Sequence, residues 1–292
     1  MATDRGRSAM DPPTGIGRTA IFMAYVRLLE SRRPDRLFDD SLAEAFTDAV
    51  GFGDTAAAAS PSEPAREEGT QTAWLETIDQ LAIRTRFFDD YLLDAVLGGI
   101  RQVVIVAAGL DTRAYRLPWP ERVRLFELDL PEVLDFKEKA LAGRNAIPSC
   151  DRTAVPVDLT ADWPATLAAT DFAPATPTAW LAEGIFPYLS EAENDALLDG
   201  IGRLSPPGSR LAAEHLASHM LHSSSARWAR DGLASLGLTW KSAVDDPEAW
   251  MGHHGWHSRS HLGSDPQSGY GRRLPSESAD APRGWLIRAW RD

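Results

Sequence analysis

A single cysteine, Cys150, stands in the 292 residues, so neither an intrachain disulfide nor a cysteine-rich zinc site can form. Basic residues are also few: 30 Lys and Arg against 42 Asp and Glu leave a formal net charge of -12. That balance argues against a nucleic-acid surface, which needs clustered cations to displace counterions. No apolar run approaches the roughly 20 residues of a membrane-spanning helix, and the N-terminus lacks the charged start and apolar core of a signal peptide. A cytoplasmic protein acting on a small molecule is the expectation, with neither nucleic acid nor membrane as partner. The length suits one α/β domain, or a domain and a cap.

What is present has the rhythm of an α/β fold. Residues 1–17 read as disordered, 18–97 as a helical cap and 98–292 as the ligand-binding core, with cap and core forming one compact unit. Helical spacing runs from Thr19 to Glu30, and the Ser31 to Pro34 stretch stops it. Asp40-Ser41 can cap a second helix through Ala49, and Gly51 to Thr70 reads as a mobile loop. Leu75, Ile78, Ala82, Phe87, Tyr91 and Val96 suit a long helix or two short ones from Trp74 to Leu97, ended by Gly98-Gly99. Strands are expected at Gln102 to Ala107, Arg122 to Glu127, Thr153 to Val157, Thr178 to Glu183 and Arg210 to His215. Helical connectors fall at Thr112 to Leu117, Leu130 to Ala142, Trp163 to Ala169 and Glu191 to Leu204, as a doubly wound sheet requires. Trp256 to His261 and Gly284 to Trp290 then read as an antiparallel pair at the sheet edge.

The most informative stretch is VVIVAAGLDTRAYRL, Val103 to Leu117, where a buried strand meets small residues at Ala107, Ala108 and Gly109. A dinucleotide fingerprint needs glycine at Ala107 and a further small residue near Thr112, and a P-loop needs a Gly-Lys-Ser/Thr that is not there. A loop with one glycine suits a ligand without pyrophosphate, such as S-adenosylmethionine. Acidic residues sit in order at the later strand ends. Glu127 and Asp129 can accept from ribose hydroxyls, Asp158 from an adenine amino group with Leu159 on the ring face, and Glu183 lies beside a lip of Phe186, Pro187 and Tyr188.

FDDSLAEAF (38–46), RTRFFDDYL (84–92), the loop stretch, FELDLPEVLDFK (126–137), VPVDL (155–159) and LAEGIFPYL (181–189) together resemble the leucine carboxyl methyltransferase family. The closer likeness is to its bacterial branch of S-adenosylmethionine-dependent O-methyltransferases, which includes polyketide carboxyl methyltransferases. The resemblance runs from about Thr19 to GWLIRAW (284–290). It implies a class I methyltransferase, Rossmann-like α/β sheet, mostly parallel with an antiparallel C-terminal edge strand, plus the helical cap. It further implies Arg84 on the methionine carboxylate, Gly109 along the amino-acid end, where the small Ala107 is a further cofactor-binding candidate, Asp129 on the ribose, Asp158 and Leu159 at the adenine, and Glu183 near the ammonium. The chain departs from eukaryotic members at Ala107, where they carry glycine. Arg18 and Arg27 are the candidates for their N-terminal lysine.

The expected reaction is transfer of a methyl group to a carboxylate or hydroxyl oxygen of a small molecule, in secondary metabolism on the family likeness. Tyr188, Arg113 and His215 are the candidates for handling the acceptor. Two other readings stand beside it: a silent S-adenosylmethionine-binding sensor or scaffold, and a nicotinamide oxidoreductase, which the missing glycines disfavour. His215, His219 and His222 have the spacing of one helical face, but His215 falls at a strand end and no metal is expected. His253, His254, His257 and His261 read as surface residues.

Overall fold

The computed structural model describes residues 10–14, 17–52, 68–224, 226–262, 269–272 and 284–292. The expected loop lies outside them from residue 53 to 67, as do residues 1–9 of the expected disordered start. The Met10 to Thr14 piece, by contrast, is packed: the Met10 amide donates to Ala49 at 2.7 Å and Pro13 is buried.

Strands β1 (Gln102–Val106), β2 (Arg124–Asp129), β3 (Asp151–Pro156), β4 (Thr178–Ala182), β5 (Arg210–Leu216), β6 (His257–Leu262) and β7 (Gly284–Trp290) form one sheet. Its order is β3-β2-β1-β4-β5-β7-β6. The first five run parallel, and β7 pairs antiparallel with both β5 and β6. β1 and β4 are buried at every position, which is why QVVIV and TAWLA carry no alternation. The strand order reverses between them, and that reversal opens a crevice at their carboxyl ends. The last strand inserts between β5 and β6 because its Leu286, Ile287 and Ala289 are buried. The polar sequence HSRSHL suits the edge, where the Ser260 amide is covered by Glu248 at 2.7 Å.

Helices follow in the order α1 (Gly17–Ser31), α2 (Ala43–Ala49), α3 (Glu68–Leu97), α4 (Arg113–Arg116), α5 (Pro131–Ala142), α6 (Trp163–Ala168), α7 (Glu191–Arg203), α8 (Arg227–Ser235) and α9 (Pro247–His253). α3 is continuous and starts before Trp74, inside the expected loop. Its Ile83, Phe87, Tyr91 and Ala95 pack on Val103, Ile105 and Leu181. Leu75, counted in the apolar stripe, is instead 55 % exposed. Asp40 and Ser41 do not cap α2, whose N-cap is Leu42 without a side-chain bond. Asp40 is buried because it is spent on Arg27, whose Nε donates to it at 2.8 Å. α1 packs through Ile21, Ala24 and Leu28 against Phe46, Leu110 and Phe136, which seats it over the loop after β1. No helix of the described residues is long and apolar enough to cross a membrane. His215 lies in β5 and His219 in a short turn, Ser218–Leu221, so the helical face of histidines does not form.

Candidate active site

β1 stops at Val106, and Ala107 belongs to the loop rather than the strand. Its φ is 53° and that of Gly109 is 50°, so the chain turns off the strand through left-handed residues on either side of Ala108. At Gly109 a side chain would be strained in this region and would meet the Ala20 Cβ at 3.4 Å. The Gly109 amide donates to Asp129 at 2.6 Å, and the other oxygen of Asp129 accepts from the Leu130 amide at 2.7 Å. Asp129 thereby ties the loop to the end of β2. Burial raises its pKa, opposed by those amide donors.

A cleft lies between this loop, the carboxyl ends of β1, β2 and β4, and the overlying α1. Among the sequence candidates, Arg84, Ala107, Gly109, Arg113, Asp129, Asp158, Leu159, Glu183 and Tyr188 all line it. Asp158 is exposed at its far end, and one oxygen accepts from the Thr160 amide and hydroxyl at 2.8 and 2.7 Å. That bonding holds its pKa below the ordinary carboxylate value.

The floor of the cleft is an ion-pair network. Glu183 takes Arg84 Nε at 2.9 Å on one oxygen and Arg113 Nη1 at 2.8 Å on the other. Arg113 also reaches Asp89 at 2.7 Å, Asp111, and the Thr85 carbonyl at 3.3 Å. Against the burial that opposes ionisation, Arg113 and Arg84 keep the Glu183 pKa below its usual value, and Arg113 does the same for Asp111. Because those folded-state pKa values are depressed, their stabilisation is full above the unfolded carboxylate range near about pH 4 and is lost as acid titrates below it.

Three sequence assignments need correction. Arg113 lines the cleft, but four of its five guanidinium N–H groups are engaged by Asp89, Asp111, Glu183 and Thr85, so it serves the network beneath the cleft rather than an acceptor. Glu127 is fully buried outside the cleft lining, because Lys137 reaches it at 2.5 Å and Arg152 at 2.7 Å. His215 points to the opposite side of β5 from Glu214, stacked on Phe186 and set against Trp250 and Asn194. Desolvation lowers its pKa to about 4. An NMR titration should therefore find His215 neutral down to about pH 4. Since the unfolded imidazole binds a proton from about pH 6.5, stability should fall between those values as the solution is acidified.

Other lining residues went unnamed in the sequence. Thr19, Ala20 and Met23 come from the face of α1 that also carries Arg27, already a candidate, and the spacing of Ala20, Met23 and Arg27 is the signal that could have found them. Arg27 reaches the Leu110 carbonyl at 2.7 Å, whereas Arg18 is exposed and outside the lining. Glu214 bonds Arg84 at 2.7 Å across 130 positions, a separation that no local pattern announces.

A model of the leucine carboxyl methyltransferase family matches residues 20–202. A Parafrankia sp. protein is 46 % identical over 284 residues, covering 95 % of this chain and 87 % of the relative. One from Streptomyces coelicolor is 39 % identical over 282 residues, covering 96 % of each. Both are named as S-adenosyl-L-methionine-dependent methyltransferases. The crystal structure of a DUF574 family protein from Streptomyces avermitilis superimposes with a TM-score of 0.63 at 15 % identity, covering 94 % of this chain and 97 % of that one. That last likeness concerns the fold alone.

Proposed function

The chain belongs to the leucine carboxyl methyltransferase family and is an S-adenosylmethionine-dependent methyltransferase; from that premise we propose that it methylates the carboxylate oxygen of a small acid in this cleft. The observation that carries the choice of acceptor is the lining itself. Among the described residues it contains no histidine, lysine or cysteine. Its carboxylates are engaged by guanidiniums, amides or a hydroxyl, and burial pushes the Tyr188 phenol up. A carboxylate acceptor arrives ionised and needs no base, whereas an alcohol or phenol would.

The residues present fit the cofactor. Arg84 keeps its Nη2 edge free of protein oxygen, with only the Met23 sulfur at 3.6 Å, and a guanidinium fork suits a carboxylate. The buried Thr112 hydroxyl likewise lacks a protein partner. Asp129 retains lone pairs for ribose hydroxyls after accepting two amides. We assign Ala107 and Gly109 to the amino-acid end, Asp158 and Leu159 to the adenine, and Glu183 to the ammonium. When bound, S-adenosylmethionine supplies a methyl group made electrophilic by its sulfonium. The chain's part is to align the acceptor oxygen with that carbon and to exclude water while charge is lost. Met23, Ile185 and Leu189 form the apolar wall that does so, and the helices before residue 98 serve as the cap over it.

Radiolabelled cofactor incubated with a panel of small carboxylic acids and phenols tests the acceptor class. Label should appear on an acid and be released by mild alkali, the behaviour of an ester. Transfer confined to phenols, with label stable to base, would sink the reading.

A further inference from the structure

Glu214 stands at the carboxyl end of β5 and is not among the residues that line the cleft. It nevertheless touches the cleft's floor from behind. One oxygen accepts from Arg84 Nη1 at 2.7 Å, and the nearby Gly184 amide favours the charged form of the carboxylate. Gly184 directly follows Glu183 and has a φ of 73°, so the chain turns there beside Glu214. Glu183 in turn takes Arg84 Nε at 2.9 Å. Arg84 is therefore hydrogen-bonded to Glu214 through Nη1 and in ionic contact with Glu183 at Nε, whose N–H finds no acceptor, while its Nη2 lies beside Met23.

A long arginine side chain has many rotamers, and its planar fork reads a carboxylate only when presented edge-on. The Glu183 ion pair makes no hydrogen bond to Nε and so leaves the guanidinium free to pivot. The hydrogen bond from Nη1 to Glu214 fixes the plane. Glu214 presents a charged oxygen to Arg84, whereas a glutamine would offer the same donor a neutral one and a weaker bond.

We propose that Glu214 is a positioning residue that sets the plane of Arg84 so that its free edge receives the α-carboxylate of S-adenosylmethionine. The inference rests on the assignment of Arg84 to that carboxylate. Its consequence is ligand-selective. Glu214 matters for a cofactor that carries the carboxylate and is indifferent to one that lacks it.

The test measures the dissociation constants of S-adenosylmethionine and of decarboxylated S-adenosylmethionine by calorimetry, for the native chain, Glu214→Gln and Arg84→Met. Replacing the charged acceptor of that hydrogen bond by a neutral one predicts about tenfold weaker binding of S-adenosylmethionine to Glu214→Gln. Its affinity for the decarboxylated analogue should stay within about twofold of the native chain's, a selectivity that general loosening of the fold would not produce. Equal losses on both ligands, or none on either, would overturn the role of Glu214. Arg84→Met reports on the premise separately. Its loss should also be confined to the carboxylate-bearing ligand, and an equal loss on both would overturn the assignment of Arg84 and with it that of Glu214. If Glu214→Gln does not fold, Glu214→Asp, which retracts the charge by one methylene, carries the same comparison.

Discussion

Replacement of Arg113 by methionine should destabilise the fold by about 3–5 kcal/mol, the cost of stripping a buried charge network of one partner. The side chain is 3 % exposed and joins Asp89 from α3, Asp111 from the loop and Glu183 from the end of β4. Methionine would fill the volume but strip Asp111 and Glu183 of the foremost of the cations that hold their pKa values down. Arg116 would still serve Asp89 at 2.6 Å, so the loss centres on the other two carboxylates. Arg113→Lys should also be costly, because an ammonium cannot match the planar fork that meets Asp89 with Nε and Glu183 with Nη1. Urea unfolding at neutral pH checks both, and a loss under 1 kcal/mol for the methionine variant would contradict the network. Cofactor affinity in the surviving folded fraction should fall as well, since Glu183 loses its second anchor.

Glu127→Leu should cost stability on a similar scale, about 3–5 kcal/mol, while leaving the folded protein's affinity for S-adenosylmethionine within about threefold. Glu127 and Lys137 are each completely buried and 2.5 Å apart, and Arg152 reaches the same carboxylate oxygen. Removing the carboxylate strands the ammonium, whereas Glu127→Leu combined with Lys137→Leu should recover much of the loss, because well-packed apolar pairs replace buried ion pairs at little net cost. Arg152 keeps Glu138 at 2.6 Å in either case. Asp129→Asn supplies the contrast, with modest destabilisation and clearly weaker cofactor binding, since an amide can accept only one of the Gly109 and Leu130 amides. If Glu127→Leu weakened the cofactor as much as Asp129→Asn, Glu127 would have to be returned to the ribose.

These two carboxylates show where sequence reading divides. Both lie in FELD, and β2 places their side chains on the same face of the sheet, two residues apart. Only position along the strand separates them: Asp129 is the terminal residue and meets the loop amide, while Glu127 lies one step back, where α5 delivers Lys137 onto it. His215 divides in the same way from Glu214. Adjacent residues of a strand face opposite sides, so Glu214 reaches Arg84 and His215 enters the packing of Phe186 and Trp250.

By itself the sequence determined the class of fold, the places of the strands, the loop with its single glycine, and the family. Those features are written in local terms, as apolar runs, turn residues and strand-end acids, which neighbouring positions suffice to specify. Tertiary structure alone decided which charged groups meet. Arg84 joins carboxylates that follow it by 99 and 130 positions at 2.9 and 2.7 Å, and Arg113 is enclosed by residues of α3, the loop and β4. A charge in a sequence has only a sign. Whether it binds a ligand or neutralises another charge depends on which partners the packed elements bring within a hydrogen bond's reach.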